Sequence, residues 1–291
     1  MTYNQLNDRI LMKDFDHFDI KHILECGQCF RFEQIDDMHY ALVAFGKMLH
    51  IKQSANAVEF HYENHSLDTA EFEAIWLPYF DLQRDYGTIK AKITTKDPVM
   101  QTAVNFAPGI RILRQEPWEM LISFIISANN RIPQIKQVVK NISVKYGTRI
   151  DAQNYAFPTV EQLLHAKQED LRTLKTGFRD KYIVDAAQKA AAGVLEMNRD
   201  TKMLTDDLRK SLLSVAGVGE KVAHCILLFG YGRMDTFPVD TWVRKVMQQY
   251  YFGGETASPA QIHSLAQKKF GELSGFAQQY LFHYIRTKGE K

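Results

Sequence analysis

The chain has 291 residues, which corresponds to about two domains of ~100–200 residues each. Because 45% of the residues are hydrophobic and 24% charged, the composition excludes a disordered, collagen-like or coiled-coil protein. Its longest apolar run, within residues 121–126, is far shorter than the ~18 residues of a membrane span, and residues 1–5 show no secretory signal. The net charge of +2 is uneven, because residues 1–110 hold ten Lys and Arg against sixteen Asp and Glu, whereas residues 111–291 hold 26 against 18.

Predicted strands come first along the chain and predicted helices follow. Aromatic and β-branched segments separated by turn residues predict strands at 29–32, 40–45, 48–52 and 57–62. From residue 67 onward, a 3.6-residue apolar period predicts helices at 68–77, 85–94, 98–106, 117–128, 134–146, 179–197, 205–213, 218–229, 241–250, 259–269 and 275–286. This order indicates an α+β domain over residues 1–110 joined to an all-helical domain over residues 111–291, with the boundary at the change in charge.

Residues 111–150 carry seven basic side chains and only two acidic ones. Such a region attracts a polyanion, because the neutralisation of phosphates releases bound counterions. Charge alone leaves a second interpretation open, a solvated helix face without a partner.

The three cysteines, Cys26, Cys29 and Cys225, favour reduced thiols over a disulfide framework. They are also too few for a four-cysteine zinc site or iron–sulfur cluster. The sequence therefore predicts an intracellular protein that is not secreted.

The segment VAGVGEKV at 215–222 joins two predicted helices through a glycine-containing turn. Gly217 and Gly219 allow positive φ and a close approach of the backbone to a ligand. The free amides at the start of the second helix favour an anion, as in a helix–hairpin–helix motif that holds a DNA phosphate. An ordinary turn between two helices is the alternative explanation of the same glycines.

Lys221 lies in the first turn of that second helix, where a cation faces the positive end of the helix dipole. A purely structural sequence would favour Asp or Glu at this position. Partial desolvation would add to the dipole effect and favour a neutral, nucleophilic amine over the ammonium. Lys221 is therefore a candidate nucleophile, and the alternative is an exposed lysine or one that only contacts phosphate.

Asp240 ends the segment FPVD at 237–240 and stands where the N-cap of the next predicted helix belongs. Capping alone explains an aspartate here. Nineteen residues separate it from Lys221, enough for a helix and a turn to return the chain to the same cleft. A carboxylate in that cleft would stabilise positive charge on a sugar while the amine attacks.

Together these segments resemble the helix–hairpin–helix, Gly-Pro-Asp superfamily of DNA glycosylases, and in particular the 8-oxoguanine DNA glycosylase/lyase family. The hairpin with Lys221 and the segment that ends in Asp240 match the superfamily motif. Further blocks match the narrower family and extend the resemblance over most of the chain: GQCFRF at 27–32, RQEP at 114–117, SFI at 123–125, NN at 129–130, GFR at 177–179 and AQQYLF at 277–282.

The resemblance implies a TATA-binding-protein-like antiparallel sheet module followed by an all-helical glycosylase module. It also implies a base-excision repair enzyme that flips 8-oxoguanine out of the duplex, removes it through attack of Lys221 on C1′, and cleaves the strand by β-elimination from a Schiff base, with Asp240 as the essential carboxylate. The implied partner is double-stranded DNA containing 8-oxoguanine. No cofactor, metal or membrane is implied, and we expect a monomer in the cytoplasm, with the nucleoid, or in the nucleus.

The resemblance assigns four residues to recognition of the damaged base. Gly27 matches the residue whose carbonyl accepts the N7 hydrogen of 8-oxoguanine, where guanine has a lone pair. An unmatched buried polar pair costs ~1–3 kcal/mol, which is enough to discriminate the two bases. Gln278 resembles the amide that binds the pyrimidine edge, and Phe282 and Cys225 resemble the two faces that sandwich the base. A turn glycine, a polar helix residue and two core side chains are the structural alternatives.

Five further residues match contacts to the rest of the DNA. Asn129 resembles the asparagine that fills the hole left by the base, Phe178 a wedge, and Arg179 a contact to the opposite base. Well-studied members use two arginines for the opposite cytosine, but the second position is Gln134 here. Because an amide donates and accepts without strong bias, we expect a relaxed opposite-base preference. Trp242 replaces a histidine near the 5′ phosphate and offers a single donor.

Three other classes of protein share part of this pattern. A monofunctional alkylpurine-type glycosylase has the hairpin and the aspartate but no lysine nucleophile. An iron–sulfur glycosylase needs four C-terminal cysteines, and none follows Cys225. A non-catalytic helix–hairpin–helix DNA-binding protein needs neither Lys221 nor the residues matched to base recognition. Lys221 therefore favours the bifunctional glycosylase.

Overall fold

A computed structural model describes residues 1–289. The strands are Thr2–Leu6 (β1), Arg9–Lys13 (β2), Phe32–Asp36 (β3), His39–Ala44 (β4), Lys47–Gln53 (β5) and Val58–His61 (β6). The α-helices are Ile20–Glu25 (α1), Thr69–Glu71 (α2), Leu77–Tyr79 (α3), Tyr86–Thr94 (α4), Pro98–Phe106 (α5), Pro117–Ser127 (α6), Ile132–Tyr146 (α7), Val160–Leu164 (α8), Gln168–Leu171 (α9), Asp180–Ala191 (α10), Thr205–Leu213 (α11), Glu220–Phe229 (α12), Thr241–Tyr251 (α13), Pro259–Phe270 (α14) and Ser274–Gly289 (α15). Short π-helical turns lie at Phe72–Trp76 and Arg172–Thr176, and 3₁₀ turns lie at Gly177–Arg179 and Gly271–Leu273.

The strands form one antiparallel sheet in the order β1-β2-β6-β5-β4-β3. Phe45 and Gly46 join β4 to β5 as a two-residue turn, and both have positive φ, at 52° and 69°. Such a turn matches the right-handed twist of paired strands. In this hairpin Tyr40 pairs with Ile51, so both side chains point to the same face of the sheet.

That face of the sheet covers the first of two hydrophobic cores. Ile51 and Phe60 are fully buried there against Phe72 and Trp76, which follow β6 along the chain. The Trp76 indole donates to the hydroxyl of Tyr62 at 2.8 Å, which satisfies its N–H group inside the core. The sheet therefore packs around a core of its own.

The second core lies around α6, whose residues from Pro117 to Ile126 are all buried. Helices α7, α10 and α12 pack against α6. Ile89 of α4 and Met100 of α5 also belong to this core, although both precede residue 110. Helices α4 and α5 thus pack with the later helices. This packing marks no boundary at residue 110, and the division of the chain there stays a prediction. No helix within residues 1–289 is both long and apolar enough to cross a bilayer.

Gln28 is fully buried and connects the first part of the chain to the segment before α6. Its Nε2 donates to the carbonyl of Arg111 at 2.8 Å, and its Oε1 accepts from the amide of Leu113 at 2.9 Å. Its own carbonyl accepts from the Gln115 side chain at 2.8 Å. These bonds fix the neighbouring Gly27 beside the helical part of the molecule.

The predicted order, an antiparallel sheet followed by helices, is confirmed, and the helices at 98–106 and 205–213 have the predicted bounds. Two predicted elements are wrong. Residues 29–31 precede β3 rather than forming a strand, since the chain joins the sheet only at Arg31, whose carbonyl accepts from the Val43 amide of β4 at 2.9 Å. The helix predicted at 179–197 runs only over Asp180–Ala191, because Gly193 follows its C-cap with a φ of 71°, a conformation typical of the residue that terminates a helix.

Candidate active site

A cleft of about 1040 Å³ lies beside residue 27, between the α6–α7 turn and helices α12, α13 and α15. The residues with predicted roles that line it are Gly27, Asn129, Gln134, Lys221, Cys225, Asp240, Trp242, Gln278 and Phe282. The residues with predicted roles that lie outside its lining are Phe178, Arg179, Gly217 and Gly219. The fold thus brings the candidate nucleophile and carboxylate together with the four candidate base-recognition residues.

The hairpin between α11 and α12 contains two glycines with different structural requirements. Gly217 has a φ of 81°, and an added Cβ would overlap the ring of Tyr182. Gly219 is the N-cap of α12 with a φ of −99°, and an added Cβ would contact nothing within 4 Å. Packing and backbone conformation therefore require glycine at 217, whereas glycine at 219 leaves open space in front of the helix N-terminus.

Lys221 is the second residue of α12 and lines the cleft in a half-buried position. Its Nζ lies 5.4 Å from the ring centroid of Phe124, within the range of a cation–π contact. Phe124 is buried on α6, against which α12 packs. The amine therefore sits over apolar surface at the edge of the cleft, at the positive end of the helix dipole.

Asp240 is the N-cap of α13 and faces the same cleft. Its Oδ1 accepts from the amide of Val243 at 2.7 Å, which fixes the carboxyl group. Burial raises the pKa of Asp240 above its usual range, although the capping bond and the charges of Lys221 and Arg286 lower it in part. The carboxylate is thus held in a poorly solvated place and close enough to Lys221 to be affected by its charge.

Cys225 lies one turn after Lys221 on α12 and is buried in the wall of the cleft. Burial raises the pKa of its thiol to about 11, although the nearby charge of Lys221 acts in the opposite direction. At neutral pH the group is therefore an uncharged thiol. It offers an apolar wall rather than a second nucleophile.

Gly27 has a φ of 85° and lies against α15. An added Cβ would be 3.1 Å from Cε1 of Phe282 and 2.8 Å from Nη1 of Arg286, so the positive φ and the close approach of α15 together favour glycine. The Gln279 side chain donates to the carbonyl of Cys26 at 2.9 Å, which ties this turn to the helix. The backbone at residue 27 is therefore rigidly placed at the cleft.

Gln278 lies one turn before Phe282 on the same helix and is only 4% exposed. Its Oε1 has no hydrogen-bond partner among residues 1–289. Because a buried acceptor without a donor costs ~1–3 kcal/mol, this oxygen is suited to a donor from a bound molecule. Gln278, Phe282, Gly27 and Cys225 together line a slot with both polar and apolar walls.

The α6–α7 turn carries Asn129, which has a φ of 51° and is exposed at the cleft. Arg179 is buried behind it, where its Nε donates to the carbonyl of Ala128 at 3.1 Å and its Nη2 to that of Asn129 at 3.2 Å. The guanidinium also stacks on Phe178 at 4.4 Å, and that ring is 54% exposed. Arg179 is therefore engaged with the turn, whereas Gln134 reaches the cleft.

Several residues of the cleft received no role from the sequence. Phe124, which contacts Lys221, lies within a matched block but was indistinguishable from core. Gln279 and Arg286 contact the backbone of residues 25–26 across a long sequence separation. The four-residue spacing from Phe282 to Arg286 could have indicated that Arg286 lies at the cleft, since it places both residues on one face of α15.

The basic residues of 111–150 are not a uniform polyanion surface. Arg111 is buried, and its guanidinium carbon lies 4.3 Å from the ring centroid of Tyr86. The Nζ atom of Lys136 lies 3.3 Å from the ring centroid of Phe32. Arg131, in contrast, is exposed and lines the cleft. Part of the positive charge therefore stabilises the fold, and another part borders the candidate site.

Two family models match the chain in succession. Residues 122–272 match the HhH-GPD superfamily of base excision DNA repair proteins, which is the class of protein that the fold and the cleft define. Residues 10–121 match the N-terminal domain of 8-oxoguanine DNA glycosylase. The chain therefore belongs to the 8-oxoguanine DNA glycosylase family, and the family predicted from its sequence motifs is confirmed.

Solved structures and a curated relative extend this result. MBOgg1 in complex with a low affinity DNA ligand has a TM-score of 0.93 at 40% identity, over 99% of this chain and 100% of that chain. Clostridium acetobutylicum 8-oxoguanine glycosylase/lyase, in complex with double-stranded DNA containing cytosine opposite 8-oxoG, has a TM-score of 0.93 at 39% identity, over 99% of each chain. The N-glycosylase/DNA lyase of Saccharomyces cerevisiae is 40% identical over 158 residues, which span 49% of this chain and 42% of the yeast protein.

Proposed function

We propose that this protein is a bifunctional enzyme that removes 8-oxoguanine from double-stranded DNA and then cleaves the strand at the abasic site. The observation that carries the proposal is the shared cleft, in which Lys221 and Asp240 lie with Gly27, Gln278 and Phe282. Family membership supports the substrate class, and the two solved relatives have DNA bound. The proposed enzyme acts as a monomer in a compartment that holds DNA, either the cytoplasm with its nucleoid or the nucleus.

Lys221 is the proposed nucleophile. After loss of a proton, its amine attacks C1′ of the damaged nucleotide, the C1′–N9 bond breaks, and the base leaves with the bonding electrons and takes up a proton. Transfer of a proton from the attached nitrogen to the ring oxygen O4′, with cleavage of the C1′–O4′ bond, opens the sugar and gives a protonated Schiff base between Nζ and C1′. The iminium group acidifies the C2′ hydrogen, and removal of that hydrogen expels the 3′ phosphate by β-elimination.

Asp240 is proposed to stabilise the positive charge that develops on the sugar as the base departs. The capping bond from the Val243 amide holds the carboxylate in place before substrate arrives. A fixed charge in a poorly solvated cleft stabilises such a transition state more than a solvated charge does, because it needs no reorganisation during the reaction.

The slot between Phe282 and Cys225 is the proposed place of the extruded base. The carbonyl of Gly27 accepts the N7 hydrogen of 8-oxoguanine and repels the N7 lone pair of guanine. The unpaired Oε1 of Gln278 accepts from the donors of the pyrimidine edge. Both discriminations depend on buried polar groups whose mismatch costs ~1–3 kcal/mol.

The proposed DNA contacts surround the cleft. The hairpin amides at Gly217 and Gly219 hold a phosphate, and Trp242 lies near the 5′ phosphate of the damaged nucleotide. Asn129 fills the gap in the duplex, and the exposed ring of Phe178 acts as a wedge. Phe178 and the hairpin glycines, which lie outside the cleft lining, are thus proposed to contact the parts of the duplex that remain stacked.

A relaxed preference for the base opposite the lesion is also proposed. Gln134 is exposed at the cleft in place of an arginine, and Arg179 already donates to the carbonyls of the Asn129 turn. A bidentate arginine contact discriminates by ~1–3 kcal/mol, so without it excision opposite C, A, G and T should differ by less than about tenfold. The Gln134→Arg variant should recover a preference for cytosine. An exclusive preference of the wild-type protein for cytosine would contradict the proposal.

Borohydride trapping on a duplex with a single 8-oxoguanine tests the main proposal. Wild-type protein should release the base, nick the strand and give a covalent adduct, whereas Lys221→Gln should give none of these products. Lys210→Gln is the matched control, because Lys210 is an exposed lysine on α11 that pairs with Asp206 at 2.7 Å. Base release without an adduct would instead indicate a monofunctional glycosylase, and binding without base release would indicate a non-catalytic DNA-binding protein.

A further inference from the structure

Arg286 is a charged residue of the cleft to which the proposed reaction assigns no role. It lies one turn after Phe282 on α15, lines the cleft and is only 8% exposed. Its Nη2 donates to the carbonyl of Glu25 at 2.7 Å, but its Nε and Nη1 have no hydrogen-bond partner among residues 1–289. Buried charged donors are costly when they lack an acceptor. The site therefore suits an acceptor that the described part of the chain does not provide.

The unpaired donors border the two residues proposed to hold the base. Nη1 is so close to Gly27 that an added Cβ there would lie 2.8 Å from it. The guanidinium carbon lies 5.2 Å from the ring centroid of Phe282. An acceptor on a base stacked against Phe282, with its N7 edge toward Gly27, would thus come near the guanidinium.

The chemistry of 8-oxoguanine provides such acceptors. Its N7 carries a hydrogen, and the carbonyl oxygens O6 and O8 flank that hydrogen on the same edge of the base. The carbonyl of Gly27 is an acceptor, and the neighbouring guanidinium of Arg286 is a donor. This pair complements the N7 hydrogen of the base and the carbonyl oxygen beside it. Adenine has an amino group in place of O6, so the same guanidinium would face a donor and disfavour that base.

We infer that Arg286 is a further lesion-recognition residue, which donates from its free N–H groups to a carbonyl oxygen beside N7 of the extruded base. This inference rests on the proposed function, because it requires 8-oxoguanine in the cleft. Two other roles for Arg286 make different predictions. It could hold the backbone at Glu25, which is a structural role, or it could act through its charge on Asp240.

The test compares Arg286→Leu and Arg286→Lys with the wild-type protein in single-turnover excision of 8-oxoguanine opposite cytosine. Loss of a charged hydrogen bond to the base should slow excision by about 10- to 100-fold in Arg286→Leu, and by less in Arg286→Lys. Borohydride trapping on a duplex that already contains an abasic site should be unchanged in both variants, because no base is bound. Lys288→Leu is the matched control, since Lys288 is an exposed cation of the same helix, outside the cleft lining, and donates to the Tyr284 hydroxyl at 2.6 Å.

Three results would overturn the inference. Excision by Arg286→Leu at the wild-type rate would show that the guanidinium does not contact the base. Parallel loss of abasic-site trapping in both variants would indicate that Arg286 only holds the backbone at Glu25, and recovery of excision at higher pH would indicate action through Asp240. Wild-type protein that excises no 8-oxoguanine would refute the proposed function itself, so the wild-type measurement separates the two failures.

Discussion

Asp240 has two roles with different requirements for charge, since a helix N-cap needs only an acceptor, whereas the proposed reaction needs a carboxylate. Asparagine also caps helices well, so Asp240→Asn should keep α13 and the affinity for DNA. We expect the single-turnover excision rate to fall by about 10²–10³, the usual effect of removing an electrostatic stabiliser of a transition state. Excision kinetics and fluorescence anisotropy with labelled duplex measure the two quantities. Unchanged turnover would be incompatible with the assigned role.

The raised pKa of Asp240 has consequences for pH dependence. The carboxyl group is protonated below its folded-state pKa, so excision should decline on acidification at a higher pH than an exposed aspartate would cause. Because the pKa of this carboxyl group is higher in the folded than in the unfolded protein, its ionisation lowers the free energy of unfolding. The loss begins as the pH rises through the unfolded-state pKa and is complete above the folded-state pKa. At neutral pH, Asp240→Asn should therefore unfold at the same or a higher Tm. A pH–rate profile and thermal unfolding of both proteins test this, and a clearly lower Tm would contradict it.

The two glycines of the hairpin should respond differently to substitution by alanine. Gly217→Ala forces a side chain into the Tyr182 ring at a φ of 81°, so we expect ~1–3 kcal/mol loss in the free energy of unfolding. Gly219→Ala meets open space at an ordinary φ and should cost less than ~1 kcal/mol, the penalty of alanine at an N-cap, yet weaken DNA binding, because its Cβ lies where a phosphate would approach. Urea unfolding and DNA titrations measure both. Equal losses of stability would rule out this account of the hairpin.

The sequence predicts helices with a clear start signal better than short or polar elements. The helix at 98–106 has an N-cap, Asp97, and a proline at its start, and its bounds agree with prediction. The strand Thr2–Leu6 was missed because four of its five side chains are exposed and no apolar alternation marks it. Helices Val160–Leu164 and Gln168–Leu171 were missed because each is too short to show a period.

The candidate site shows the same limit. Lys221 and Asp240 stand out in the sequence because each occupies a helix start with an unusual or informative residue type. Arg286 and Gln279 do not, since their partners at residues 25–26 lie more than 250 positions away along the chain. Contacts of that kind depend on the complete fold and leave no local pattern.

Gln28 connects the segment at residue 27 to the backbone that leads into α6. Gln28→Leu would leave the carbonyl of Arg111 and the amide of Leu113 buried without partners, so we expect about 3 kcal/mol loss in the free energy of unfolding. Gln34→Leu, on an exposed residue of β3, is the control and should change stability by less than ~0.5 kcal/mol. Urea unfolding of both variants tests the difference. Similar stabilities would mean that Gln28 does not join these parts of the fold.

The proposed reaction depends on one covalent bond in this assembled cleft, between Nζ of Lys221 and C1′ of the damaged nucleotide. Peptide mapping by mass spectrometry, after borohydride reduction on a duplex with 8-oxoguanine and digestion of the DNA, tests it most directly. We expect the deoxyribose remnant to be attached to the peptide containing Lys221, at that side chain. A remnant on another amine or on Cys225, or released base with no modified peptide, would contradict it.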